Sequence, residues 1–232
     1  MSAPLEPLPV GVDQQLLSKR FPRLYHMAQL GSWDSIRRHG LLSTSSLLDL
    51  FSISGSQRDR IESHHRPESI AISDPRLGTA TIRDQKPMDD VGLRRALCGG
   101  LRPDEWYRLL NQHVFFWVST DRLQMLMGAR AYREQRHTVL TVRTAPLLNR
   151  HAGRVVLSPM NSGATKPFPH PRGRDTFLPI ARYPFAEWDR KRHGREPVVE
   201  LAVVDGVPDI VDFVESVVLR GGGIADEVIW PP

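Results

Sequence analysis

A single cysteine, Cys98, is all that 232 residues contain; this excludes an internal disulfide framework and any multi-thiolate zinc site, and fits a reducing compartment. Long apolar runs are missing too, none approaching the roughly 18 residues of a membrane span. The opening MSAPLEPLPVGV has prolines and a glutamate where a secretory signal carries a basic stretch and an apolar core. The expectation is a soluble, cytoplasmic protein with no membrane partner. Metal motifs are absent as well: the 9 histidines form no HExxH and no i, i+4 pair with an acid at ligand spacing, so no metal is expected. There is no GxSxG elbow, and Cys98 lacks the local signature of a nucleophile. Lysine is scarce, so that the 31 basic residues facing 26 acidic ones are overwhelmingly arginine and leave a net charge of +5. Arginine's planar fork suits phosphates and would serve a nucleotide or nucleic-acid partner; a solvated arginine-rich surface gives the same count.

With 40% hydrophobic and 25% charged residues, the chain has the composition of one globular domain able to bury its core without staples. Residues 1–12 read as an extended N-terminal arm, 13–220 as a single domain and 221–232 as a C-terminal tail. DQQLLSKR, WDSIRRH after Ser32, SSLLDLF, DEWYRLLNQ after Pro103, TDRLQMLMGARAYRE and FAEWDRKRH carry helix signals. RLYHMA, SIAISD, TATIRD, HVFFWVS, HTVLTVRT, GRVVLSP, PVVELAVVD and DIVDFVESVVLR read as strands, the second and third joined as a hairpin by DPRLG. Residues 53–67 are polar, either an excursion or a helix outside the core, and MNSGATKPFPHPRGRDTF is too long for a simple connector. Irregular alternation with adjacent strands near the end favours α+β with a mostly antiparallel sheet. The GGG at 221–223 has too few residues after it to open a phosphate-binding helix.

Three residues stand out chemically. Glu200 interrupts the run Val198, Val199, Leu201, Ala202, Val203, Val204; it is either an edge residue facing water or a desolvated carboxylate in a cleft. His26, near the end of RLYHMA, either offers a ring nitrogen to a ligand hydroxyl or is a satisfied structural residue. Arg83 closes an apolar strand and either grips a pyrophosphate or pairs with Asp84 or Glu200.

Taken in order, LYHMAQLGSWDSIRRHGLLS, TIRDQKPM, HVFFWVSTDRLQMLM and EPVVELAVVDGVPDIVDFVESVVL resemble the motif succession of ADP-ribosyltransferase-fold proteins, most nearly the DarT-like DNA ADP-ribosyltransferase toxins. The resemblance spans residues 24–42 and 80–220, with FFW where that family usually carries a tyrosine-containing strand. It implies an ADP-ribosyltransferase-like fold of mostly antiparallel split sheets flanked by helices around an NAD cleft. It further implies transfer of ADP-ribose from NAD, with release of nicotinamide, to a nucleic-acid base by a toxin or defence effector that has an antitoxin partner. On this likeness Glu200 and Arg83 are catalytic. His26 meets the ribose hydroxyls, the Met27 backbone holds the nicotinamide amide, and Phe116 and Trp117 pack on nicotinamide. The loop residues Lys166, Arg172 and Arg174 are the expected contacts to single-stranded DNA or RNA. Two alternatives keep the fold and change the function: an inactive NAD- or nucleic-acid-binding domain, and an RNA 2′-phosphotransferase in which Arg37, Arg38 and Arg83 converge on a phosphate.

Overall fold

A computed structural model describes residues 13–193 and 195–231; the 1–12 arm lies outside them. Asp13 accepts from the Gln15 N–H to cap α1 (Gln14–Arg20), which leads into β1 (Arg23–Gln29). Next come α2 (Trp33–His39), burying Trp33 and Ile36, the short β2 (Leu41–Leu42), and α3 (Thr44–Leu50), capped by Ser43. The polar 53–67 segment contains α4 (Gly55–Ser63). Its Ile61 packs with Leu48 and Phe51 against the hairpin β3 (Ile70–Asp74) and β4 (Gly78–Ile82) in a small core of its own. The chain continues through α5 (Asp90–Ala96), α6 (Pro103–Asn111), β5 (His113–Trp117), α7 (Thr120–Met127), β6 (Arg136–Arg143), α8 (Thr144–His151) and β7 (Val155–Ser158). It ends through β8 (Leu178–Pro179), α9 (Phe185–Lys191), β9 (Glu200–Val204), β10 (Gly206–Val207), β11 (Val214–Gly221) and β12 (Ile224–Trp230). No helix among the described residues is long and apolar enough to cross a membrane.

The molecule is mixed α+β. Its main sheet has eight strands in the order β12-β11-β6-β1-β5-β9-β7-β8, every pairing antiparallel, with helices around it. The inward residues Leu24, Val114, Phe116, Leu201 and Val203 alternate along their strands and build the main core. One joint is incomplete. β1 runs in register with β6 from Arg23↔Arg143 to Gln29↔His137, yet meets β5 at the single pair Tyr25↔Trp117. Beyond that pair the two strands part, and the sheet opens as a fork whose walls are the ends of β1 and β5.

The tail expected over 221–232 instead folds back across residues 221–230: Gly221, Gly222 and Gly223 all have positive φ, and this turn lays β12 along β11 as an edge strand. The helix beginning at Thr120 ends at Met127 rather than continuing to Glu134, and Glu200 opens its strand instead of lying within it.

Gly40 holds the turn beside the fork. Its φ is +87°, and a Cβ there would lie 2.4 Å from the Pro208 Cα. Neither backbone has room to give, so Gly40→Ala is expected to destabilise the fold by about 2–3 kcal/mol, read from the urea midpoint at unchanged slope.

Candidate active site

The fork holds a cavity of ≈ 240 Å³ lined by His26, Met27, Arg83, Trp117 and Glu200, brought together from four separate segments. A second chamber of ≈ 180 Å³ shares His26, Thr44, Arg83, His113 and Phe115 with it and extends over α2 and β4, past Ser32, Ile36 and Thr81. The two chambers adjoin along these shared residues.

Glu200 is 3% exposed. As the first residue of β9 it lies between Trp117 on one neighbouring strand and Ser158 on the other, and its Oε2 accepts the Ser162 N–H at 3.0 Å. Burial pushes the carboxyl up to about 7, against the pull of that hydrogen bond and of the Arg172 and Arg122 charges. A carboxyl held there exchanges a proton at neutral pH.

His26 has the complementary state. Its Nδ1 lies 2.8 Å from the Phe115 carbonyl across the fork; a carbonyl only accepts, so Nδ1 carries the proton. Burial, with Arg83 also opposing a second positive charge, lowers the imidazole to about 4. The ring is neutral, and Nε2 is left as an acceptor for a hydroxyl.

Arg83 donates from Nη1 to the Met27 carbonyl at 2.8 Å, while its Nη2 is buried without a partner. The guanidinium lies 4.9 Å above the Tyr132 ring, whose hydroxyl donates to Asp84 at 2.7 Å. Burial lowers its pKa. A buried cation with an unused donor and no carboxylate in ion-pair contact among the described residues has a donor to offer an anion. Arg66 lines the same cavity, 6% exposed, donating to the carbonyls of Ile61 and Arg83. The Met27 carbonyl points away from β6 to reach Arg83, and since a strand residue directs its N–H and C=O to one side, the Met27 N–H faces the fork too.

Other expected site residues sit elsewhere. Phe116 is 1% exposed in the main core, and strand alternation puts Phe115 and Trp117 on the cleft instead. Arg172 is 2% exposed; its three nitrogens donate to the carbonyls of His170, Ser162 and Ala164, so it ties a loop together rather than meeting a strand of nucleic acid. Arg174 pairs with Glu105 at 3.0 Å. Lys166 is exposed on a groove of ≈ 1240 Å³ that begins at Pro159, Asn161 and Val199 beside Glu200. Arg122, Lys191, Arg192 and Arg195 share that groove, with Trp188 and the 76%-exposed Phe168. The RKRHGRE stretch at 190–196 was the signal for this basic wall. Arg37 and Arg38 are exposed and line neither chamber. Among the described residues no three His, Cys, Asp or Glu side chains are grouped to hold a metal ion.

The shift at Glu200 links to stability. Its folded pKa, about 7, lies above the ordinary 4.5, so the folded state holds the extra proton: the contribution is full below the unfolded value and is lost as pH rises through about 7. Glu200→Gln removes this loss, whereas His26 acts equally in both proteins. Between pH 5 and 8 the wild type is expected to lose about 2–3 kcal/mol relative to Glu200→Gln, measured by urea unfolding at the two pH values.

Residues 22–214 match a family of unknown function (DUF7002). No curated protein matches the chain.

Proposed function

We propose that this chain, which belongs to the DUF7002 family of unknown function, is an NAD-dependent ADP-ribosyltransferase with an ADP-ribosyltransferase-like fold. One observation carries the reading: His26, Arg83 and Glu200, far apart in sequence, line one fork. The neutral His26 accepts from a ribose hydroxyl through Nε2. Arg83 offers its unused Nη2 to a phosphate oxygen, and the Met27 backbone N–H meets the nicotinamide amide. Trp117 supplies an aromatic wall for the leaving nicotinamide. The chamber at Glu200 accepts the nicotinamide riboside end, and the chamber over α2 the adenosine end.

Breaking the nicotinamide–ribose bond releases neutral nicotinamide and leaves an oxocarbenium-like sugar. A carboxylate bonded to the ribose 2′-hydroxyl stabilises that positive charge as it develops. The acceptor atom then bonds to C1′, and its proton passes to Glu200, whose raised pKa suits a base working near neutrality.

A nucleic-acid base is the acceptor we favour. The basic, aromatic-flanked groove opens beside Glu200, and cations interleaved with exposed rings are what a single strand requires. The phosphotransferase reading lacks support because Arg37 and Arg38 line neither chamber with Arg83; the inactive-domain reading, which the same groove would serve, is separated by turnover. Incubation with NAD and single-stranded DNA, RNA or cell protein, followed by mass spectrometry, tests the proposal. An ADP-ribose adduct on a base is expected. Adducts confined to protein would remove the base acceptor, and NAD binding without nicotinamide release would leave a binding domain.

A further inference from the structure

The loop 159–173 is long, carries two prolines on either side of Phe168, and still delivers one backbone N–H to a buried carboxylate. Something has to hold it. The loop's own N–H groups do part of this: Arg172 exchanges backbone hydrogen bonds with the end of α5, its N–H to Ala96 and its carbonyl from Cys98, both at 2.8 Å. Thr165 is anchored through Asp89. Between these anchors and Glu200 the only cation buried in the loop is the Arg172 guanidinium. It donates to the carbonyls of Ser162 at 2.9 Å, Ala164 at 2.7 Å and His170 at 3.1 Å, and lies 5.7 Å above the Trp106 ring.

We propose that Arg172 is the positioning residue of this site: by gathering three loop carbonyls, that of Ser162 among them, onto one planar fork it fixes the backbone at Ser162 so that the N–H of that residue meets Glu200, and it places a fixed positive charge behind that carboxylate. The proposal rests on the reading of Glu200 as the catalytic carboxylate. Lysine cannot reproduce the geometry, since one ammonium lacks the rigid fork. The charged and titratable groups around Glu200 are Arg172 from the loop and Arg122 from α7, with His26, Arg66, Arg83, Asp84, His113 and Tyr132 also on the cavity wall. Arg172 and Arg122 both favour the ionised carboxylate, so losing Arg172 moves its titration up.

The test compares Arg172→Gln, Arg172→Lys and the control Arg174→Gln, whose side chain only pairs with Glu105. Glu200 is titrated directly by NMR of protein carrying carbon-13 glutamate, its signal identified by loss in Glu200→Gln. Arg172→Gln is expected to raise the midpoint by about one pH unit and to shift the pH profile of nicotinamide release alike. Release at pH 7 should fall about tenfold with KM for NAD little changed, because both chambers are left intact. Arg172→Lys should lose rate with a smaller change of midpoint, and Arg174→Gln should match the wild type. A folded Arg172→Gln with unmoved Glu200 titration would overturn the proposal. Failure of both Arg172 variants to fold would also overturn it, because Arg172 would then be holding the fold rather than the site. If the wild type releases no nicotinamide, the transferase reading fails while the Glu200 titration still decides the role of Arg172.

Discussion

Glu200→Gln is expected to lower nicotinamide release by about 10³-fold while leaving NAD affinity within a few-fold, which corresponds to about 4 kcal/mol of transition-state stabilisation. Glutamine keeps the shape and still accepts the Ser162 N–H, so the loop stays where it is. What it lacks is the negative charge. An ionised carboxylate gains interaction as the sugar becomes positive, whereas a neutral amide meets substrate and transition state nearly alike, so the loss appears in kcat rather than KM. In the wild type, release should rise as pH climbs through about 7, the value to which burial brings the Glu200 carboxyl, and Glu200→Gln should flatten that limb. Stopped nicotinamide assays across pH 5 to 9 measure both effects. Because the substitution also removes a buried titrating group, the variant is expected to be the more stable protein above pH 7. Lower activity accompanied by higher stability separates a catalytic loss from a folding defect.

Arg83→Gln is expected to raise KM for NAD about 100-fold without lowering thermal stability. The buried, unpartnered Nη2 and the missing carboxylate partner leave the cation waiting for an anion, and charge-assisted hydrogen bonds to phosphate contribute about 1.5–3 kcal/mol each. Glutamine is too short to reach the Met27 carbonyl that Nη1 meets, but the Arg66 guanidinium still donates to the backbone carbonyl of residue 83 and keeps the segment in place. The folded protein is relieved of an uncompensated buried charge, which offsets the lost contact with Tyr132. Nicotinamide riboside, which carries no diphosphate, provides the comparison. Its binding, followed by ligand NMR, should change by no more than a few-fold in Arg83→Gln; an equal loss for both ligands would place Arg83 in a structural role.

Much of the α+β architecture was legible because its strands are written as apolar runs. HVFFW and ELAVV read as strands on their apolar runs and HTVLTVR on its alternation, and the irregular order with adjacent strands near the end pointed to a mostly antiparallel sheet. Glu200 drew notice for a physical reason, a carboxylate inside a valine-rich run, and the structure buries it. The direction in which each aromatic of FFW points was not legible. When every residue of a strand is apolar, alternation carries no contrast, and the parity that sends Phe116 to the core and Phe115 to the cleft appears only in three dimensions. Arginine posed the same difficulty. Arg172 and Arg174 are two residues apart, yet one is enclosed by loop carbonyls and the other is at the surface with Glu105. Residue type says nothing of which carbonyls a guanidinium will meet. Arg66 was hidden similarly, in a polar stretch that folds as the wall of the cavity. The strand Ile224–Trp230 escaped because its faces are mixed and exposed, and pairing along β11 holds it in place.

A crystal structure of Glu200→Gln with NAD bears most directly on the central claim. The dinucleotide should span both chambers, its nicotinamide ribose hydroxyls within hydrogen-bond reach of the residue-200 side chain and of His26 Nε2, and its diphosphate on Arg83. A dinucleotide bound outside the fork, or one whose nicotinamide ribose touches neither His26 nor residue 200, would contradict the account.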